Sequence, residues 1–245
     1  MTVVFMACLR AFRDIWSPRM LLLSVWPMLA ALALWLALAW FYWAQWTQWV
    51  GDWLQASIMA DWLPAGGVLE LAHYAAWVLV ALLLLPAVLA TAGMLAAVLV
   101  MPLIVGFVAR RDYPALEKRQ GGGFAGSCLN AAVAIAVFST LWLVTLPLWL
   151  TPVLGAPVLL LLSGWLMQKL FRFDALAEHA DPAEYAALCT ASRSGFFMLG
   201  VLVALLYTVP LLNLFAPVFG GLAFTHFALA RLAALRTGAS RKDLA

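Results

Sequence analysis

Long stretches without a charged residue constrain this chain more than any other feature of its sequence. Four such blocks, of 32, 39, 49 and 37 residues, lie at Met20–Gly51, Leu71–Ala109, Gln120–Gln168 and Ser194–Ala230. About 20 apolar residues in a helix cross the ~30 Å hydrocarbon core of a bilayer, so each block exceeds one crossing. The alternating ~10-residue pattern of membrane β-barrel strands is missing from these blocks. The sequence therefore predicts an all-α integral membrane protein, with one membrane domain over 1–245.

Basic residues are confined to the two termini and to two short segments between the blocks. These segments are 110–119 and 169–193, whereas 52–70 contains three acidic residues and no Lys or Arg. Lys and Arg collect in the cytoplasmic loops of membrane proteins. Both termini are therefore predicted to be cytoplasmic in a multi-pass protein. The two basic segments are expected to form interfacial cytoplasmic helices against anionic lipid headgroups.

The four blocks are predicted to differ in how they cross the membrane. The first two are expected to be long transmembrane helices, over 20–51 and 71–109, that run out and back. The last two each begin and end at cytoplasmic basic segments, so each must return to the side from which it entered. They are predicted to be helical hairpins over 120–168 and 194–230, followed by a cytoplasmic tail over 231–245.

Prolines mark the turn of the first predicted hairpin. Pro147, Pro152 and Pro157 interrupt its middle, and proline is among the strongest breakers of regular structure. Only Val158–Gln168 remains between Pro157 and the next basic segment, and this stretch rises roughly 16 Å as a helix. Because that is about half of the bilayer core, the hairpin is predicted to turn inside the membrane.

The second predicted hairpin turns at Pro210–Pro217. Its arms, Ser194–Val209 and Val218–Ala230, reach about 24 Å and about 20 Å as helices, so neither clearly spans the core. Both hairpins are therefore predicted to be hemi-penetrating. Irregular backbone at that depth must be buried in protein or line a water-filled cavity. The candidate turn and pore residues of this hairpin are Pro210, Asn213, Pro217 and His226.

A series of short motifs resembles a known family of membrane proteins. In chain order these are Ser17-Pro18 followed by Pro27, Met101-Pro102, Ser163-Gly164-Trp165, the group Phe173, Asp174 and His179, and VPLLNLFAPV at Val209–Val218. The series is similar to that of the CysZ family of bacterial inner-membrane sulfate permeases, from about Leu9 to Leu232. The resemblance implies two long spanning helices, two hemi-penetrating hairpins, a homo-oligomer and transport of a small inorganic anion.

The anion-binding motif of that family is altered in this chain. Family members that handle sulfate carry Gly-Leu/Ile-Arg, often with a second Arg, directly after the first proline. The corresponding residues here are Arg19–Leu22, where Leu21 and Leu22 stand in place of the arginines. Arg19 beside the free N–H groups of a helix N-terminus is a candidate anion contact. The alternative is that Arg19 anchors the first span at the cytoplasmic surface.

Two further polar residues fall within the predicted second hairpin. Asn213 either caps the turn or the following helix, or contacts the substrate, since an unsatisfied amide at membrane depth is costly. His226 is a functional candidate because intramembrane histidines are rare. The alternative is that His226, near a helix end, reaches a carbonyl or the interface.

Other chemistries find little support in the sequence. Gly121–Gly126 matches GxGxxG, but no strand precedes it and no βαβ unit surrounds it, so no nucleotide cofactor is predicted. No HExxH or GxSxG motif occurs, and no charge-free block contains an acidic pair, so the chain is not predicted to be an enzyme. Neither a metal site nor a nucleic-acid partner is expected.

Two classes of function remain open. The first is an oligomeric permease or channel for a small inorganic anion, with sulfate uptake as the family precedent. The second is a non-transporting membrane scaffold or a partner in envelope assembly. The missing arginines favour the second class, as does the acidic segment 52–70, which would repel an anion.

Overall fold

The computed structural model of the chain describes residues 2–56, 65–119, 121–213 and 215–238. Every regular element in these ranges is helical. The α-helices are α1 Thr2–Ile15, α2 Pro18–Leu54, α3 Ala65–Leu95, α4 Met101–Asp112, α5 Phe124–Thr145, α6 Pro152–Leu176, α7 Pro182–Ala191, α8 Arg193–Thr208, α9 Pro210–Asn213 and α10 Ala216–Arg236. Five of them are long and apolar enough to cross a bilayer: α2, α3, α5, α6 and α10. The prediction of an all-α integral membrane protein is confirmed.

The chain divides into two compact units. The smaller contains Val25–Ala97, and the larger contains Met1–Ser24 together with Val98–Ala245. The predicted second span, 71–109, is not one uninterrupted α-helix, because a π-helical turn at Ala96–Val100 separates α3 from α4. The assignment of 1–245 to a single domain stays a prediction.

The smaller unit is a pair of antiparallel helices. Trp35 Nε1 donates a hydrogen bond of 3.0 Å to Thr91 Oγ1, and Trp43 packs edge-on against Trp77 with ring centroids 5.6 Å apart. Trp43 comes after Trp35 in α2, whereas its partner Trp77 comes before Thr91 in α3. The two helices therefore run in opposite directions. This arrangement pairs the indole N–H with a hydroxyl inside an apolar hairpin, where an unpaired donor would be costly.

The larger unit is built around α10. Helices α1, α4, α6 and α8 all pack against it. From Gly220 to Leu229 every residue of α10 is buried, as expected for a helix that is apolar on all sides. Phe196 of α8 packs on Phe224 and Phe227 of α10, with ring centroids 6.2 Å and 5.0 Å apart. The polar residues of α10 therefore lie inside protein rather than against lipid.

Two glycines allow α6 and α8 to approach closely. A Cβ atom on Gly164 of α6 would lie 2.6 Å from Cγ2 of Val201, and the facing residue of α8 is Gly200. Small residues at helix contacts are typical of membrane proteins, where tight packing replaces the hydrophobic effect as the force between helices. These glycines thus join the first predicted hairpin to the second.

The second arm of the first hairpin is longer than predicted. Helix α6 begins at Pro152 and runs through Pro157, so its 25 residues rise about 37 Å rather than 16 Å. Proline is well tolerated at the first position of a helix, as at Pro152, whereas Pro157 lies inside α6 and removes one N–H donor without ending the helix. The estimate from Val158–Gln168 was therefore too short. Whether the hairpin turns inside the membrane stays a prediction.

The second hairpin has unequal arms. Helix α8 has 16 residues and rises about 24 Å, which agrees with the predicted length of the first arm. It meets α7 at a bend of 78°. Helix α10 begins at Ala216 and ends at Arg236, so the second arm is longer than predicted. The predicted cytoplasmic tail therefore begins as the last turns of α10, and residues 239–245 lie outside the described part of the chain.

Helix α1 has one buried face and one exposed apolar face. The buried positions recur every three or four residues, as an amphipathic helix requires, and are Val4, Ala7, Ala11, Asp14 and Ile15. The opposite face exposes large apolar side chains: Phe5, Leu9, Phe12 and Trp16. An amphipathic helix of this kind suits a membrane surface.

Candidate functional site

A buried cluster of ionisable side chains lies where α1, α4 and α10 meet. Asp14 comes from the last turn of α1, Arg111 and Asp112 from the end of α4, and His226 from the middle of α10. Asp14 and His226 are only 3% and 1% exposed. Nε2 of His226 lies 2.9 Å from Oδ2 of Asp14, and Nδ1 of His226 lies 3.6 Å from Oδ2 of Asp112. The imidazole ring therefore faces a carboxylate with each nitrogen.

Arg111 joins the two carboxylates of this cluster. Its Nη2 donates to Asp14 Oδ2 and, at 3.0 Å, to Asp112 Oδ2, while its Nε donates to Asp112 Oδ1 at 3.0 Å. A charged donor shared by two carboxylates makes hydrogen bonds that are stronger than neutral ones. Arg111 thus supplies the counter-charge that the burial of Asp14 requires.

The amphipathic pattern of α1 explains why an acid is buried here. Asp14 follows Ala7 and Ala11 on the helix face that packs against α10, and the two alanines allow the backbones to approach. A charge on that face must be paired, because an isolated buried carboxylate is strongly disfavoured. Arg13, its neighbour in sequence, bonds Asp14 Oδ1 at 3.2 Å from the exposed side.

The arginines keep both carboxylates ionised. Burial raises the pKa of Asp14, but hydrogen bonds from Arg111 and His226 outweigh it and leave that pKa below its usual value. The hydrogen bond from Arg111 lowers the pKa of Asp112 in the same way. Hydrogen bonds to Asp112 and Asp14 raise the pKa of Arg111 further above neutrality. At neutral pH the cluster therefore contains two carboxylates bridged by a guanidinium.

A cavity of about 230 Å³ adjoins the cluster. Seven residues line it, five from α1 and two from α10: Thr2, Val3, Met6, Ala7, Arg10, His226 and Ala230. Arg10 Nη1 donates to the hydroxyl of Tyr113 at 3.4 Å, and that hydroxyl donates to the carbonyl of His226 at 3.5 Å. The cavity thus brings an exposed arginine close to the buried histidine.

Asp14, Asp112 and His226 also meet one criterion for a cation site. One ligand atom from each lies within 4.8 Å of the others. Arg111 already bonds both carboxylates, however, so a metal ion would have to displace a guanidinium. Moreover, the two ring nitrogens of His226 point to different carboxylates, whereas a single ion can use only one of them. These side chains therefore fit a structural network of ion pairs better than a metal centre.

A second ionic group ties α7 and the connection between α4 and α5 to the end of α10. Arg236 contacts both oxygens of Glu184, with Nε–Oε1 at 2.9 Å and Nη2–Oε2 at 3.0 Å. Arg119 reaches Oε1 of the same carboxylate at 2.8 Å. Glu184 also forms a capping box with Asp181 at the start of α7. This carboxylate therefore holds α7, the α4–α5 connection and α10 together.

The structure places only one of the predicted site residues in the ionic cluster. His226 lies there, against Asp14 rather than at a carbonyl or at the interface. Arg19 is exposed in the first turn of α2, and no described residue pairs with its guanidinium. Asn213 is exposed at the end of α9, and Pro217 is half-buried in the first turn of α10. Of Pro210 only the backbone, at the start of α9, is described.

Several residues of the site were not predicted from the sequence. Arg10, Asp14 and Arg111 were considered only as charges of the N-terminus and of a basic segment, and Asp112 and Tyr113 were not singled out. The signal for Asp14 was present, since it falls on the apolar face of α1 at the spacing of Ala7 and Ala11. Its partners could not be found in this way, because they come from helices distant in sequence.

The comparisons with known proteins identify one family. A family model described as sulfate transporter CysZ/etoposide-induced protein 2.4 matches residues 7–217. No curated protein and no solved structure matches the chain. The family model confirms the resemblance that the short motifs indicate.

Proposed function

The chain belongs to the sulfate transporter CysZ/etoposide-induced protein 2.4 family, and on that premise we propose that it is a permease or channel for a small inorganic anion, with sulfate as the transported species. The family match over 7–217 carries the proposal, because it covers α1 to the start of α10. The proposal includes uptake across a bacterial inner membrane by a homo-oligomer with cytoplasmic termini. The five helices that are long and apolar enough to cross a bilayer support this proposal.

The fold provides features that an anion path needs. Conduction requires a basic entry site, a wetted path and binding weak enough to release the ion. Arg10 and Arg19 are exposed residues of the larger unit, in α1 and in the first turn of α2. The hairpin turns, with Asn213 exposed, are irregular segments that a neighbouring copy would cover or that would line the path. No energy-coupling nucleotide site is expected, so the proposal is passive conduction.

Arg19 is the residue that the altered family motif leaves for contact with the anion. In the first turn of α2, Pro18 has no N–H, and the N–H groups of Met20 and Leu21 donate to the carbonyl of Ser17 at 2.9 Å and 3.0 Å. A contact with a tetrahedral oxyanion here would therefore rest on the exposed guanidinium of Arg19 and its own N–H group. The same position also suits a membrane anchor, and a flux measurement separates the two roles.

The experiment is uptake of labelled sulfate into proteoliposomes that contain the full chain. The proposal predicts uptake above that of empty vesicles, and an anion contact predicts reduced uptake for Arg19→Ala. Arg110→Ala is the matched control, since Arg110 is also an exposed arginine of the larger unit. Uptake in the wild type that is indifferent to Arg19→Ala would leave transport in place and make Arg19 an anchor. No uptake at all would contradict transport.

One observation favours a non-transporting scaffold as the second candidate. Leu21 and Leu22 occupy the positions at which the family motif carries arginine, so the donor density of a sulfate site is reduced. The same uptake experiment tests this alternative. Restoring the motif with Leu21→Arg and Leu22→Arg would give uptake only if the rest of the path is intact.

A further inference from the structure

We propose that the cavity between α1 and α10 binds a tetrahedral oxyanion, held by Arg10, at a site separate from Arg19. The ligand is either free sulfate or the phosphate of an anionic lipid, which present the same oxygen atoms to an arginine. The proposal concerns binding and stands whether or not the chain transports sulfate. It rests on the charge of Arg10, the walls of the cavity and the donors that line it.

The first observation is that Arg10 lacks a counter-ion. Its one described hydrogen bond goes to the neutral hydroxyl of Tyr113, and no described carboxylate pairs with it. The neighbouring Asp14 and Asp112 are already occupied by Arg111, and Asp14 also by Arg13. The cavity and the cluster beside it therefore hold three guanidiniums and two carboxylates, and of these five groups only Arg10 lines the cavity. The excess positive charge is the complement of an anion.

The second observation is the size and character of the cavity. Its volume, about 230 Å³, is below the range of about 300–1,000 Å³ that holds drug-sized ligands. The cavity therefore suits a small hydrated ion or the phosphate of one lipid headgroup rather than a larger organic molecule. Val3, Met6, Ala7 and Ala230 form apolar walls. Walls of low dielectric focus the field of a single cation and strengthen its attraction for an anion.

The third observation is the set of donors on the cavity wall. Thr2 and Val3 belong to the first turn of α1, where N–H groups have no partner within the helix and the helix dipole is positive. His226 also lines the cavity, but its two ring nitrogens face Asp14 and Asp112, so the ring forms part of the wall. The donors that a tetrahedral oxyanion would use are therefore the guanidinium of Arg10 and the free N–H groups of the first turn of α1.

The exposed apolar face of α1 explains why the two sources of the oxyanion must be distinguished. Phe5, Leu9, Phe12 and Trp16 give this helix the character of one that lies on a membrane surface. A cavity on such a helix is within reach of lipid headgroups as well as of the free anion. Binding of free sulfate and binding of a lipid phosphate would both depend on Arg10. The experiment therefore measures the two ligands separately.

The first arm measures binding of labelled sulfate to the purified full-length protein in detergent. We expect Arg10→Ala to weaken binding by at least about tenfold, the effect of losing one hydrogen bond from a charged donor. Arg10→Lys is expected to retain part of the affinity. Arg110→Ala, which removes an exposed arginine away from the cavity, is expected to leave it unchanged. Val3→Trp, which fills the cavity and keeps Arg10, is expected to abolish binding.

The second arm uses nanodiscs of phosphatidylcholine with and without phosphatidylglycerol. If the phosphate of the anionic lipid is the ligand, phosphatidylglycerol will displace sulfate from the wild type. If the free anion is the ligand, sulfate will bind equally in both lipid mixtures. Either result supports the site, provided that Arg10→Ala abolishes the binding.

Three results would overturn the site. These are no binding of sulfate or phosphatidylglycerol to the wild type, binding that is unaffected by Arg10→Ala and Val3→Trp, and equal losses for Arg10→Ala and Arg110→Ala. Flux measured on the same preparations separates this proposal from transport. Binding that depends on Arg10, without flux, supports the site and contradicts the permease. Flux together with binding that is unaffected by Arg10→Ala supports the permease and contradicts the site.

Discussion

Nε2 of His226 lies 2.9 Å from Oδ2 of Asp14, a residue 212 positions earlier in the chain. This contact joins the end of the first helix to the middle of the last described one. Both side chains are buried, and Arg111 brings the end of α4 to the same carboxylate. The cluster therefore holds three helices of the larger unit at one point, beside the cavity that Arg10 lines.

Removing the charge of Asp14 should weaken the larger unit. Asp14→Asn keeps the size of the side chain but leaves Arg111 and His226 without their carboxylate. We expect the free energy of unfolding to fall by about 1–3 kcal/mol, the cost of leaving buried polar partners unsatisfied. Denaturant titration of the protein in detergent measures it. The control is Arg13→Gln, whose side chain is 68% exposed, with an expected loss below about 1 kcal/mol. Equal losses of unfolding free energy for both variants would mean that the buried ion pairs of Asp14 stabilise the fold no more than an exposed one.

Stability should fall in acid because of the two carboxylates. The pKa values of Asp14 and Asp112 are lower in the folded protein than their usual values. Their contribution is therefore fully present above the unfolded pKa of about 3.9 and is lost as the pH falls through the lower folded values. The melting temperature of the wild type should be insensitive to these groups near neutral pH and decline below about pH 4. A double variant, Asp14→Asn with Asp112→Asn, should show a shallower decline, and an unchanged decline would contradict the assignment.

The close approach of α6 and α8 should be sensitive to a single methyl group. In Gly164→Ala the new Cβ would lie 2.6 Å from Cγ2 of Val201, so one helix must move. We expect a loss of about 1–3 kcal/mol in unfolding free energy, as for other overpacked contacts. Gly93→Ala, in α3, is the control because no atom lies within 4 Å of its new Cβ. That change should be neutral or stabilising by up to roughly 1 kcal/mol. A Gly164→Ala variant as stable as Gly93→Ala would contradict the tight contact.

The prediction that both hairpins are hemi-penetrating implies a pattern of labelling from outside the cell. In a background without Cys8, Cys128 and Cys189, single cysteines at Leu154 and Leu212 should resist an impermeant thiol reagent in whole cells. Both positions are exposed on the isolated chain, so resistance would reflect the membrane rather than burial in protein. A cysteine at Asp52, in the predicted external segment, should react as the positive control. Strong external labelling at both hairpin positions would mean that the hairpins span fully.

The helices were predictable from the sequence because apolar length and the position of basic residues act locally along the chain. The length of the second arm of the first hairpin was misjudged for a physical reason: Pro152 occupies the first position of α6, where a proline costs a helix little, and α6 continues through Pro157. Pro152 therefore marks where that helix begins, and Pro157 does not end it.

The ionic cluster could be predicted only in part. The intramembrane position singled out His226, and the spacing on α1 contained the signal for Asp14. The pairing of Asp14 with His226 and Arg111 depends on which helices pack together, and helical periodicity carries no information about that. For the same reason the cavity beside Arg10 is visible only once α1 is packed on α10.

Downhill flux of labelled sulfate from proteoliposomes is the decisive test of an anion permease. Vesicles containing the wild-type chain are compared with empty vesicles and with vesicles containing an unrelated helical membrane protein at equal density. A passive permease releases sulfate faster from the wild-type vesicles than from either control, without any added energy source. Release that is no faster than in the two controls would contradict an anion permease and leave the scaffold as the function of this chain.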